Sequence, residues 1–351
     1  MKLFTVGPVQ MYPETLQIEG TQQPYFRTPE FSKVMKDIEV WFLDSVHAPE
    51  GSEFIALTSS GTGAMDATVS NLLSQNDKVL VINGGSFGAR FSHICDHYNI
   101  PHEDYVIPFL HAFQKEEFEK YSGRGFTALL VNACDTSTGQ LYDLDYLGEF
   151  CTRNNMLFIV DAVSAYLADP IDMKKCHIDA VLTASQKALA LAPGVALVAI
   201  SPNAVDKLGN GSRAYYFDFE DYINNQRRGQ PPFTSAVGTM LALHQRLESI
   251  MTKGINAVND EHAQRAAHFR ALIKDMPFNL PDITLSNSCT PILFPKENAS
   301  AVYEAMKEKY EIILTPSGGD WKDKQLRVGH LGNLTLDDYD DLVQKLEGEL
   351  V

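Results

Sequence analysis

No stretch of the sequence approaches the roughly 20 uninterrupted apolar residues that a membrane-spanning helix needs. The opening residues, Met1 to Glu14, carry neither a basic cluster nor a long apolar core of the kind found in export signals. Together these absences predict a cytoplasmic protein with no membrane partner. Positive charge is also scarce: 29 lysines and arginines stand against 45 acidic residues, a net charge of −16. Such a surface repels phosphate backbones, so nucleic acid is excluded as a partner despite the local pair Arg227–Arg228. The five cysteines (Cys95, Cys134, Cys151, Cys176 and Cys289) are odd in number and widely spaced, and no two form a CxxC pair. That pattern argues against a disulfide framework and against a metal site, and leaves five reduced thiols that act as small buried hydrophobes. Repeats, low-complexity tracts and long linkers are missing as well.

What is present is an alternation. Short apolar runs at 53–57, 78–82, 127–131, 157–160, 180–183 and 195–200 are each bounded by turn-forming residues and separated by segments of helical period. This is the pattern of a largely parallel sheet covered by helices, with six strands placed and a seventh unplaced. From Ala236 apolar residues recur at helical spacing as far as Gly254, a helix-capping glycine. Beyond it, helices near 263–276, 299–309 and 336–346 and strands at 291–294 and 326–328 make a compact α/β unit of about ninety residues, within the usual range for a domain. The division expected is a large domain over 14–254 and a small C-terminal one over 255–351, with residues 1–13 packing near the small domain or a partner subunit.

The strand ending at Val160 runs into Asp161, which places a carboxylate at the carboxyl end of a parallel strand, where open α/β sheets bind ligands. A loop or helix-cap aspartate is the plainer alternative. The next strand runs into Ser185-Gln186-Lys187, so a lysine follows 26 residues later, just past a neighbouring strand end. A desolvated lysine becomes a nucleophile toward carbonyls, and pyridoxal phosphate requires such a lysine together with an acid that keeps its ring nitrogen protonated. The turn Ser59-Ser60-Gly61-Thr62-Gly63 between a strand and a helix start suits a phosphate, although alone it is an ordinary turn. Phe87, set among the glycines of Gly84-Gly85-Ser86-Phe87-Gly88, is placed to stack on a cofactor ring or to tuck into a loop cluster.

With these segments in this order the sequence resembles the class V aminotransferases of fold type I, in particular the alanine/serine–glyoxylate and 2-aminoethylphosphonate–pyruvate transaminases. The likeness extends to Phe4-Thr5-Val6-Gly7-Pro8-Val9, Asp135-Thr136-Ser137-Thr138-Gly139, Pro232-Phe233-Thr234 and Leu326-Arg327-Val328-Gly329-His330. It implies a large domain with a mostly parallel seven-stranded sheet, a smaller C-terminal α/β domain, pyridoxal 5'-phosphate as cofactor and no metal. Lys187 would be the Schiff-base lysine and Asp161 the partner of the pyridinium nitrogen. Ser60, Gly61, Thr62 and Gln186 would contact phosphate, Thr136 and Thr138 would line the pocket, and Phe87 and Val163 would sandwich the ring. Arg327, with Arg27 as a possible second anchor, would bind the substrate's acid group. A homodimer with shared active sites is implied, in which Gln230 and Thr234 of the second copy complete the phosphate site. The sequence departs from relatives at Arg227, Gln230, Phe26 and Asp135, positions that bear on specificity more than on reaction class.

The activity expected is a ping-pong transfer of an amino group from 2-aminoethylphosphonate, alanine or serine to a 2-oxo acid such as pyruvate or glyoxylate. A lyase or cysteine desulfurase on the same fold is the alternative. Against it stand Gln186 and Phe87, where those enzymes carry histidines, and Cys289, which leads directly into an apolar strand.

Overall fold

A computed structural model describes residues 1–209 and 214–350. Seven strands form the main sheet: β1 (Glu53–Leu57), β2 (Val79–Asn83), β3 (His102–Val106), β4 (Ala128–Asn132), β5 (Leu157–Asp161), β6 (Ala180–Ala184) and β7 (Ala196–Ile200). Their spatial order is β1-β7-β6-β5-β4-β2-β3. From β6 to β3 every pairing is parallel, whereas β7 runs antiparallel to both β6 and β1. The expected mostly parallel sheet of seven strands is therefore the one observed. Its unplaced member is β3, a polar edge strand.

The central strands are mainly apolar, with Asn83, Asn132 and Asp161 closing β2, β4 and β5, because both faces of the sheet are covered. Side chains alternate between two cores. Leu129, Val131, Phe158 and Val160 face one, and Ala128, Leu130, Leu157 and Ile159 face the other. The first core is closed by α1 (Pro29–Ser45), α4 (Leu144–Arg153) and α5 (Val237–Lys253), which contribute Phe31, Ile38, Phe42, Phe150, Met240 and Leu247. The second is closed by α2 (Gly61–Leu72) and α3 (Gly88–Tyr98), through Met65, Val69, Phe91 and Ile94. Full burial of each such side chain contributes about 1.5–3 kcal/mol, so the two layers hold the strand ends in place.

Gly254, at φ +92°, ends α5 and lets α6 (Ile255–Leu272) start at once. A third core lies among α6, α7 (Ala299–Tyr310), α8 (Leu336–Gly348) and the antiparallel strands β8 (Cys289–Leu293), β9 (Thr315–Pro316) and β10 (Gln325–Gly329), in the order β8-β10-β9. The N-terminal residues join this unit: Lys2–Leu3 pairs in parallel with Ile312–Ile313, and Gly329 N–H donates to the Phe4 carbonyl at 2.7 Å. No described helix is long and apolar enough to cross a membrane.

Candidate active site

Asp161 closes β5 with its side chain only 5% exposed. One carboxylate oxygen accepts from Asn132 Nδ2 at 2.6 Å and the other from the Val163 backbone N–H at 2.8 Å. Asn132 reaches it because the parallel register of β4 and β5 sets the two residues side by side. Burial pushes the Asp161 carboxyl up to about 6, against the opposing effects of these hydrogen bonds and of Lys187.

Lys187 follows β6 in a tight turn closed by Ala190 N–H donating to the Lys187 carbonyl at 2.8 Å. Its ammonium donates to the Val6 carbonyl at 2.5 Å. Burial lowers it to about 8, with Cys289, Cys134 and Asp161 opposing the fall and Arg327 adding to it. The bend that follows the N-terminal strand lies directly on this side chain: a Cβ at Gly7, whose φ is +132°, would stand 2.6 Å from Lys187 Cδ. Glycine is required there.

Arg327 sits in β10 opposite Pro291. Its Nη1 and Nη2 each donate at 2.9 Å, to the carbonyls of Thr136 and Pro316. Its Nε is buried without a partner, and among the described residues no carboxylate hydrogen-bonds to the guanidinium. Burial lowers its pKa while Cys289 and Asp135 raise it. The surface ion pair that would make this arginine structural is absent among the described residues.

The helix starts complete the site. Ser60, the N-cap of α2, makes no side-chain cap, so the first-turn amides of Gly61, Thr62 and Gly63 point from a helix N-terminus toward the same strand ends. A Cβ on Gly61 would meet Val163 Cγ2 at 2.9 Å, which shows how closely α2 approaches the residues after β5. Arg90 Nη1 donates to Thr62 Oγ1 at 2.7 Å while its guanidinium lies 4.7 Å from the centre of the Phe87 ring. The backbone just after Phe87 is held too, since Asp135 accepts from Gly88 N–H at 3.4 Å as well as from Ser137 N–H at 2.9 Å. Thr136 shares a 2.5 Å contact with Ser164, and Thr138 Oγ1 turns inward to the Asp135 carbonyl at 3.3 Å. Gln186 Oε1 is buried without a partner.

Asn132, Arg90 and Val6 were not singled out in the sequence, although each has a signal. Asn132 ends the strand beside Asp161, Arg90 is three residues beyond Phe87 at a helix start, and Val6 lies in the quoted opening segment. Arg27, Gln230 and Thr234 gather elsewhere. Arg27 is exposed, lies over the Phe26 ring at 4.9 Å and donates to the Pro232 carbonyl at 3.3 Å. Gln230 donates to Ser32 at 2.5 Å and leaves its own carbonyl oxygen buried and unpartnered, while Thr234 is exposed. None of these contacts is with Asp161, Lys187 or Arg327.

A family model described as aminotransferase class-V matches residues 17–319. The chain belongs to the class-V aminotransferase family. It is similar to an uncharacterized aminotransferase of Helicobacter pylori, 28% identical over 95% of this chain and 89% of that one. It is similar also to the alanine–glyoxylate aminotransferase of Felis catus, 26% identical over 99% of this chain and 87% of that one. The crystal structure of a subgroup IV aspartate aminotransferase from Thermus thermophilus superposes with a TM-score of 0.92 at 26% identity, covering 100% of this chain and 99% of that one. A class-V aminotransferase depends on pyridoxal phosphate, and the residues here fit that group. The open α2 amides and the Thr62–Arg90 pair offer donors to an anion, and the charges of Asp161 and Lys187 stand at adjacent strand ends. All five cysteines are free and buried, and Cys289 lies within β8 rather than on a mobile loop.

Proposed function

We propose that this aminotransferase moves an amino group from a small donor (2-aminoethylphosphonate, alanine or serine) to pyruvate or glyoxylate in two half-reactions. The observation that carries the reading is Arg327: a half-buried guanidinium whose buried Nε has no partner, with no carboxylate bonded to it and with Lys187 near enough to feel its charge. A buried cation without a counter-charge is costly, and a planar guanidinium takes a carboxylate or phosphonate with paired hydrogen bonds. One such anchor suits donors and acceptors that carry a single acid group beside the reacting carbon. The Felis catus relative, named for alanine and glyoxylate, is consistent with small substrates of this kind.

Bound pyridoxal phosphate supplies an electron sink that acidifies the donor's Cα–H. The chain's own residues do the rest. Lys187 Nζ, its pKa lowered to about 8 by burial, would attach the cofactor and then carry the proton from the donor's Cα to the cofactor, and in the second half-reaction from the cofactor to the acceptor's carbon. Asp161, oriented by Asn132 and Val163, retains the proton on the ring nitrogen. Ser60, Gly61, Thr62 and Gln186 hold the phosphate, Phe87 and Val163 cover the two ring faces, and Thr136 and Thr138 shape the pocket wall. Arg327 orients the acid group. In a homodimer, Gln230 and Thr234 of the second copy close the phosphate site, and Arg27 stands with them as an entrance cation.

The visible absorption of the cofactor-loaded protein tests this. Alanine, serine or 2-aminoethylphosphonate, added separately, should bleach the band, and pyruvate or glyoxylate should restore it, with Lys187→Ala showing neither change. A band that none of the three donors alters would overturn the assignment.

A further inference from the structure

The chain after β4 folds back as a small hairpin, Cys134–Asp135 paired antiparallel with Gln140–Leu141, closed by Gly139 N–H donating to the Asp135 carbonyl at 2.8 Å. Its tip, residues 136–139, is held from two sides. On one side stands the face of the small sheet that carries Arg327. Gln325 lies two residues earlier in β10, so both side chains leave the strand on that face. They grip successive carbonyls of the tip: Arg327 Nη1 donates to Thr136 at 2.9 Å and Gln325 Nε2 to Ser137 at 3.1 Å. Gln325 is fully buried, and β8 presses on the tip as well, since a Cβ at Gly139 would stand 2.9 Å from Pro291 Cδ. On the other side stands the loop 84–88, which follows β2 and presents Phe87. Ser86 N–H donates to Ser137 Oγ at 3.2 Å and Gly88 N–H to Asp135 Oδ2 at 3.4 Å, so the two contacts bracket Phe87. Ser137 is itself locked onto Asp135, its N–H donating to Oδ1 at 2.9 Å and its hydroxyl to the same oxygen at 2.5 Å. The loop rests directly on these side chains: a Cβ at Gly85 would stand 2.5 Å from both Asp135 carboxylate oxygens and closer still to Ser137 Oγ.

We propose that Ser137, locked onto Asp135, is a positioning residue for the ring-stacking aromatic: held by Gln325 from the small sheet, it fixes the 84–88 backbone and with it the seat of Phe87 over the cofactor. This rests on the reading that Phe87 covers one face of the ring. Gly84 and Gly85 leave the loop free in its backbone angles, so its conformation has to be set from outside. The side chains that set it are Ser137 and Asp135, through the bonds on either side of Phe87. Both are engaged by the loop and by each other, whereas Thr136 and Thr138, the residues assigned to the pocket wall, flank Ser137 in the chain. Ser137 therefore bonds to β10 through its carbonyl and to the Phe87 loop through its hydroxyl, and acts on the cofactor only through that ring.

A double-mutant cycle tests it, with two readouts on the full chain. Affinity for pyridoxal phosphate is measured by equilibrium titration of the visible band, and visible circular dichroism of the loaded protein reports how firmly the ring is held in its asymmetric site. Ser137→Ala should weaken cofactor binding about fivefold, as the loss of a hydrogen bond does, and diminish the dichroism. Phe87→Ala should weaken binding further. In the Phe87→Ala background, Ser137→Ala should then change neither readout, because the group it positions is gone. Asp135→Asn, which keeps the shape but gives up one acceptor oxygen, should repeat the pattern and serves as the second variant should Ser137→Ala not fold. An effect of Ser137→Ala that is the same with and without the Phe87 ring, or no effect on affinity and dichroism in the natural background, would overturn the proposal and leave the ring-stacking reading in place. Phe87→Ala with unchanged affinity and dichroism would overturn both.

Discussion

The half-buried Arg327 and the buried Lys187 are two cations without a carboxylate bonded to either among the described residues, and each has a measurable consequence. Truncating one partner of a buried charge pair costs about 2–5 kcal/mol, so Arg327→Ala should lower kcat/KM for the 2-oxo acid by roughly a hundredfold, chiefly through KM. The visible band of the bound cofactor should persist. Arg327→Lys should recover little, because a point charge cannot reproduce the two-pronged contact. Steady-state kinetics with both substrates varied would decide it. The lysine makes a prediction about stability. Its pKa falls from 10.5 in the unfolded chain to about 8 in the fold, so the folded state binds the proton less tightly. Relative to a neutral side chain, Lys187 therefore destabilises the cofactor-free protein when both states are protonated, below about pH 8, and the penalty fades as pH rises toward 10.5. Lys187→Met should raise the stability of the cofactor-free protein at pH 7 by about 2–3 kcal/mol and lose that advantage by pH 10, as followed by denaturant titration across the range. A variant equally stable at both pH values would show that the ammonium is not desolvated.

At the scale of elements, α2 is the part most exposed to small changes. Gly61→Ala would drive a methyl group to 2.9 Å from Val163 Cγ2, at the helix start proposed to hold the phosphate. Its cofactor affinity should fall about tenfold or more, read by equilibrium titration, while the fold persists with a penalty on the order of 1–3 kcal/mol. By contrast, Thr335→Ala removes the capping box of α8, in which Thr335 Oγ1 accepts from Asp338 N–H at 3.3 Å and Asp338 accepts from Thr335 N–H at 2.8 Å. It should cost about 1 kcal/mol in thermal unfolding and leave turnover alone. The elements that carry chemistry were also the legible ones. β1 was placed at its observed bounds and β5 to within its final aspartate, because central strands are unbroken apolar runs. β3 (His102–Val106) stayed unplaced because an edge strand has water on one side and tolerates the polar run His102-Glu103-Asp104. The start of α6 was hidden for a related reason: Asn259 and His262 occupy its buried face, so the apolar period begins late. Direction was less legible than position. Nothing within 195–200 tells that β7 is antiparallel to its neighbours, which depends on the connection over 185–195 that returns directly from β6 without a crossover helix. In the site, Asp161 and Lys187 were readable as strand-end residues, whereas Asn132 acquires its role only from the register between β4 and β5.

For the whole molecule the open question is where the 226–234 segment does its work. Within one chain it turns on itself: Gly229 N–H donates to Gln226, Gln230 leans on Ser32, and Thr234 is exposed. The Gln230 amide, the exposed Thr234 hydroxyl and the Arg27 guanidinium are the polar groups of this segment and of its contact at Pro232, a cluster whose hydrogen bonds, to Ser32 and to the Pro232 carbonyl, do not reach Asp161, Lys187 or Arg327. A two-fold dimer in which each copy lends the Thr234 hydroxyl, the Arg27 guanidinium and the Gln230 amide N–H to the other's phosphate would give each of these donors an acceptor, since an isologous interface exchanges the same residues in both directions. This geometry makes a quantitative prediction. Lys187→Ala lacks the lysine of its own site, and Gln230→Ala/Thr234→Asp, which sets a carboxylate against phosphate, spoils the site of its neighbour. Each variant alone should be inactive. Mixed in equal amounts and allowed to exchange subunits, half the dimers are heterodimers, and each of these has one site with an intact lysine from one chain and an intact cluster from the other. About one quarter of the wild-type activity should therefore appear on mixing. Sedimentation should show the dimer throughout. If mixing restores nothing while exchange is verified by mass, the cluster serves its own chain and the shared-site reading fails, whatever the oligomeric state.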